Sequence, residues 1–134
     1  MKANASPTNA LENHLLAALP ADDFSRVQSK LESVSFKLGE VLYESGDKMD
    51  YVYFPTTAII SMLYVMENGA TAEIGVVGND GLIGNSLFMG GDTTTSRAII
   101  QSVGDAFRIK AQDAKAEFKL AGRFQEMMLP LHRH

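Results

Sequence analysis

Apolar and polar positions follow two different periods along this chain. Residues 1–8 carry Ser, Pro, Thr and Asn with no apolar pattern, and read as a disordered tail. "NALENHLLAAL" then places Leu11, Leu15, Leu16 and Leu19 at helical spacing. A second helix is predicted from Pro20, with Asp22 and Asp23 near its start and Phe24, Val27 and Leu31 apolar. From Val34 the period shortens toward two. "VSFKLGEVLYESGD" alternates around turns at Gly39 and Gly46, and "YVYFP" reads as a strand closed by Pro55. "AIISMLYVM" and "ATAEIGVV" flank "ENG", a hairpin signal, because Asn-Gly tolerates positive φ. Ile59, Met62, Ile74 and Val76 are the expected core residues of that hairpin. "GNDG" turns the chain again, and "RAIIQSV" and "DAFRIK" are strands around Gly104. "AQDAKAEFKLAG" returns to helix and ends at Gly122.

Helices, a run of short strands, then helix predict a mainly β fold. The expected form is an antiparallel β-roll (a jelly roll, or double-stranded β-helix) with helices at both ends. A length of 134 residues suits one domain. Hydrophobic residues make up 46% of the chain and charged residues 21%, enough apolar material for a core. The formal net charge of −4 and the lack of a Lys/Arg-rich window argue against a nucleic-acid grip by this chain. No cysteine is present, which excludes disulfides, thiolate metal sites and cysteine nucleophiles, and fits a cytoplasmic protein. The N-terminus lacks the apolar run of a signal peptide, and no apolar stretch is long enough to span a membrane.

Candidate chemistry is sparse. His132 and His134 have metal-binding spacing but sit at the terminus with no third ligand nearby, and His14 reads as a helix-surface residue. Asp22 and Asp23 are explained as helix-start residues, and Glu73 is expected to face solvent. Neither a nucleophile elbow nor a P-loop is present; "GNDGLIG" lacks the lysine and hydroxyl that a triphosphate needs. The expectation is no metal and no catalysis. Residues 80–100, "DGLIGNSLFMGGDTTTSRAII", stand apart. They join a turn, an apolar helix start, a Gly-Gly loop and Arg97, a combination suited to a small anion.

Three segments in order carry a family resemblance. "LGEVLYESGD" resembles an early strand and turn. "VYFPTTAIISMLYVMENGATAEIGVVGNDGLIG" resembles the following hairpin and approach. "LIGNSLFMGG…SRAIIQSV" resembles a phosphate-binding cassette. Together, from about Leu15 to Leu120, the chain resembles the cyclic nucleotide-binding sensor domain of the Crp/Fnr bacterial transcription regulators. The resemblance implies a sensor domain over residues 9–122. Residues 123–134 would then begin the family's C-terminal dimerisation helix, cut short here. It implies a ligand-sensing regulatory domain, not an enzyme, that takes a small-molecule effector. The full-length regulator would be a homodimer. The DNA-binding domain is lacking, so this chain alone would not bind DNA, nor would it engage a membrane.

The site carried over by the resemblance is Gly84, Asn85, Ser86, Leu87, Ser96, Arg97 and Ala98. Asn85 stands where the family pattern has a ribose-binding glutamate. The closing order is Ser96–Arg97–Ala98, whereas an ungapped match from Gly84 puts Thr95 at the arginine position. Cyclic AMP is therefore expected to bind weakly or not at all, with another small anion at least as good a ligand. Two alternatives remain: an interaction domain on the same fold that binds no nucleotide, and a metal-dependent, cupin-type jelly-roll enzyme. Phe124, Met127, Met128 and Leu129 are expected to form an exposed, self-associating strip.

Overall fold

The computed structural model describes residues 9–84, 96–120 and 124–125. Its strands form two antiparallel sheets. The three-stranded sheet has the order β1 (Glu32–Phe36), β7 (Gly104–Lys110), β3 (Tyr51–Pro55). The four-stranded sheet has the order β2 (Val41–Tyr43), β6 (Arg97–Ser102), β4 (Ile59–Val65), β5 (Thr71–Val77). Short helices lie at both ends: a 3-10 turn (Ala10–Glu12), α1 (His14–Ala17), α2 (Ala21–Gln28) and α3 (Ala111–Phe118). The chain is thus a mainly antiparallel β-roll with flanking helices, as the hydrophobic pattern predicts.

Side-chain alternation separates the two faces of the three-stranded sheet. Tyr51 and Tyr53 of β3 face inward with Arg108, toward the other sheet. Val52, Phe54 and Ile109, all fully buried, face the opposite way. That outer face is roofed by the helices, which supply Leu16, Val27 and Ala114 to the same core, with Phe124. Both faces are therefore covered at β3, whereas Ser33 and Ser35 of the edge strand β1 stay exposed. Two polar side chains fasten the roof. Asn13 is wholly buried: its Oδ1 accepts from the backbone N–H groups of Leu15 and Leu16, capping α1. Its Nδ2 donates to the carbonyls of Pro55 at 2.8 Å and Gly81 at 2.9 Å. Glu117 of α3 is 2% exposed and lies 3.4 Å from Arg26 Nε and 3.6 Å from Lys30 Nζ, which ties α3 to the end of α2.

Turn chemistry matches the sequence reading where φ is positive. Gly39, Gly46 and Gly69 have φ of 80°, 91° and 88°, and Asn68 Oδ1 accepts from the Ala70 N–H in the β4–β5 turn. Gly104 is required by space: a Cβ there would lie 2.6 Å from the backbone of Thr57 and Ala58.

Three expectations are corrected. The first predicted helix is split by Asn13 into a 3-10 turn and the four-residue α1, leaving Leu11 exposed. In the hairpin, Ile74 is 60% and Val76 49% exposed, so neither belongs to the core. A register shift between Met62 and Leu63 sets the parity of β5, and the inward pairs are Ile60 with Val77 and Met62 with Gly75. Phe124, expected in an exposed strip, is 2% exposed and joins the core; Met127, Met128 and Leu129 lie outside the described residues.

Candidate functional site

The ends of the predicted cassette are pinned to different sheets. At its start, Ile83 forms an isolated antiparallel bridge with Tyr53 of β3, through reciprocal backbone bonds of 2.8 and 2.9 Å. Gly84 follows with φ of 125°, and a Cβ there would lie 3.0 Å from Val52 Cα and 3.2 Å from the Tyr51 carbonyl oxygen. Only glycine lets the chain pass this close to β3. At the far end, Ser96 precedes β6, whose Ala98 is paired with Tyr43 of β2 on one side and Met62 of β4 on the other. Asn85, Ser86 and Leu87 lie outside the described residues.

Alternation along β6 then sorts the remaining candidates. Ser96, Ala98 and Ile100 are buried in the roll. Arg97 falls between them, on the opposite face. It lies beside Leu63, and its Nε donates to Glu44 Oε1 at 2.7 Å. Ser96 and Ala98 are thus brought together inside, while Arg97 is held outside by a residue 53 positions away. No local sequence signal marks Glu44 as that partner.

The arginine on the inner face is Arg108 of β7. Its Nε donates to Glu32 Oε1 at 2.9 Å, and its guanidinium rests 3.9 Å above the Tyr51 ring centre. Burial lowers its basicity, but hydrogen bonds with Glu32 and Tyr53 outweigh that and leave its pKa above the ordinary value. The Tyr53 hydroxyl is pushed up by burial, and its bond with Arg108 pulls it part of the way back. Tyr43 is also pushed up, first by burial and then by nearby Tyr53, against a hydrogen bond with Ser96. A polar line therefore crosses the roll from Ser96 through Tyr43 and Tyr53 to Arg108 and Glu32. The signal that could have found it is the tyrosine clustering: three of the chain's four tyrosines fall in residues 43–53.

Tyr43, Tyr51 and Tyr53 line a cavity of about 380 Å³, together with Asp47, Lys48 and Asp50 of the β2–β3 connection. Among the described residues no group of three His, Asp or Glu side chains could hold a metal ion, and no helix is long and apolar enough to cross a membrane. His14 lies on the surface, with its Nδ1 2.6 Å from Asp80 Oδ1. Glu73 is exposed, as expected, and accepts from Ser61 Oγ at 2.7 Å.

Residues 33–119 match the model of the cyclic nucleotide-binding domain family. The chain belongs to that family. No curated protein matches it in sequence. Solved structures share the fold at low identity. The N-terminal domain of a transcriptional regulator from Streptomyces coelicolor A3(2) superposes with a TM-score of 0.70 at 18% identity, over 90% of this chain and 85% of that one. Thermus thermophilus Catabolite Activator Protein gives 0.71 at 12% identity, over 85% of this chain and 54% of its own. The regulatory subunit of a cAMP-independent protein kinase A from Trypanosoma cruzi, bound to guanosine, gives 0.73 at 14% identity, over 87% and 40%. The domain is thus of a regulatory, ligand-binding kind.

Proposed function

We propose that this chain is the ligand-sensing domain of a Crp/Fnr-like transcription regulator, spanning residues 9–122, with a cassette whose anion clamp is disabled. It works by binding an effector better in one conformation than another, and it carries out no chemistry. The full-length regulator is a cytoplasmic homodimer whose dimerisation helix begins at residues 123–134. Family membership and the shared fold with the Streptomyces regulator domain support the sensor reading. The observation that carries the disabled clamp is the 2.7 Å pair between Arg97 and Glu44, on the face away from Ser96 and Ala98. To reach a phosphate near Gly84, Arg97 must leave that pair and cross the strand. Asn85, where the family pattern has glutamate, removes the second anchor. The guanosine-bound neighbour supports a base-bearing ligand without a cyclic phosphate.

Calorimetric titration with cyclic AMP tests this. Binding weaker than micromolar, little changed by Arg97→Ala, is the expected result. Micromolar or tighter binding that is lost on Arg97→Ala overturns it. A second reading, an interaction domain that binds no nucleotide, draws on the exposed Val41, Ile74 and Val76 of the four-stranded sheet. It is favoured if no nucleotide binds and the chain captures a partner through that face.

A further inference from the structure

A second cleft, of about 430 Å³, lies between the β2–β3 connection and the start of α3. That volume is within the usual size of small-molecule sites, roughly 300–1,000 Å³. Lys48 and Asp50 of the connection, Tyr51 of β3, Lys110 at the end of β7, and Gln112 and Lys115 of α3 line it. Three of the chain's seven lysines thus gather around one opening, although acidic residues outnumber basic ones by 16 to 12 in the whole chain. The frame that carries them is fixed. Tyr51 is the strand partner of Lys110, and the Ala111 N–H donates to the Asp50 carbonyl at 2.8 Å. Met49, between Lys48 and Asp50, is 3% exposed and anchors the connection in the core. Gln112 and Lys115 lie three residues apart on α3, so they share one side of the helix. Like charges gathered in one cleft repel, and a counter-charge relieves that repulsion. Lysine ammoniums hold phosphate oxygens as point charges with three rotatable donors each. Three of them against the Asp50 carboxylate leave two positive charges in excess, which suits an anion of charge two or more.

We infer that this cleft binds a small, multiply charged anion of the phosphate and diphosphate class, at a site apart from the candidate cassette. None of its lining residues falls within the cassette's span, residues 84–98. The placement also gives the anion a consequence. Held by Lys48 on one side and Lys115 on the other, it adds a tie between the β2–β3 connection and α3, the helix that carries the chain out of the sheets. The inference goes beyond the sensor reading and does not depend on Arg97.

Inorganic diphosphate is the probe, titrated at fixed ionic strength and followed through the backbone amide signals of nuclear magnetic resonance. Saturable shifts are expected at residues 48–51 and 110–115, and none at Lys37, an exposed lysine of the β1–β2 turn. Lys48→Gln combined with Lys110→Gln should weaken diphosphate about tenfold, through two lost charge-assisted contacts. Both lysines are exposed, and a preserved melting temperature keeps the double variant interpretable. Asp50→Asn removes the opposing carboxylate and should tighten binding about threefold. Lys37→Gln and Arg97→Ala should leave it within about twofold. Added salt should weaken binding, because two of the lysines stand in solvent. A parallel titration with ADP separates two sources of the same chemistry. Shifts in the same two segments support a nucleotide's phosphate chain as the occupant, and their absence with ADP supports the free ion. The inference is overturned if diphosphate moves neither segment, or if Lys37 shifts as much as Lys48 and Lys110. It is also overturned if the double variant, still folded, binds diphosphate as tightly as the parent. Those outcomes leave the disabled-clamp reading standing, whereas tight cyclic AMP binding lost on Arg97→Ala ends that reading and leaves the cleft as it is.

Discussion

The two sheets bury their residues in different ways. The three-stranded sheet is covered on both faces at β3, by helices outside and by the facing sheet within, and opens to solvent at Ser33 and Ser35 of its edge strand β1. Phe54, Val52 and Ile109 on one face are as inaccessible as Ala106 on the other. The four-stranded sheet is covered on its inner face alone, and Val41, Ile74 and Val76 stand in solvent on its outer one. An apolar residue in a strand therefore means different things in the two halves of the roll. In β3 it is core whichever way it points. In β5 its parity decides, and that parity is set by a register shift against β4.

Paired substitutions test this contrast directly. Phe54→Ala should cost about 3–5 kcal/mol, as for a large ring removed from a closed core. Ile74→Ala should stay within about 0.5 kcal/mol, the usual range for a surface position. Urea unfolding measures both. Comparable losses at the two sites would show that the outer face of β5 is covered after all.

The loop that passes between the sheets should be nearly as sensitive. A Cβ at Gly104 would meet Thr57 and Ala58 backbone at 2.6 Å, so Gly104→Ala should cost about 1–3 kcal/mol, the usual range for overpacking. A neutral result in the same unfolding assay would mean that the close approach of this loop is relaxed at little cost.

The inner face should also report through pH. Burial raises the Tyr43 and Tyr53 hydroxyls above the ordinary value of 10.0. Above pH 10 the unfolded chain has lost those protons while the folded chain keeps them. Unfolding then releases protons, so stability falls as pH rises through and beyond that value. Tyr43→Phe removes one such group and should flatten the fall. It should cost about 1 kcal/mol near neutral pH through the lost bond with Ser96. An unchanged alkaline slope would mean that Tyr43 titrates as freely in the folded chain as in the unfolded one.

Local signals were enough to read much of this fold. Asn68–Gly69 marks the β4–β5 hairpin, and Gly39 and Gly46 mark the other turns, because positive φ leaves a trace in residue type. The fold itself was legible through the family pattern, which the match over residues 33–119 shows. What local sequence could not show depends on distant pairing. Asn13 looks like one more polar helix residue until the carbonyls of Pro55 and Gly81 arrive beside it. Arg97 shows no partner among the described residues of its own segment, and β2 brings up Glu44 from 53 positions away. The tyrosine line needs both sheets, since Tyr43 and Tyr53 belong to different ones.

The smallest effect sharpens the comparison most at the candidate site. Arg97 and Glu44 lie on the exposed face, with side chains 33% and 50% accessible. Solvent screens such a pair, and its coupling should be about 0.2–1 kcal/mol. A double-mutant cycle with Arg97→Ala and Glu44→Gln isolates the pair from other contacts of either residue. The coupling should shrink as salt is added, because the charges lie in water. Coupling of several kcal/mol that ignores salt would place the arginine in a dry interior. The outer-face assignment would then fail, and with it the argument for the proposed disabled clamp. A small, salt-sensitive coupling keeps Arg97 where alternation along β6 puts it, with its back to the roll.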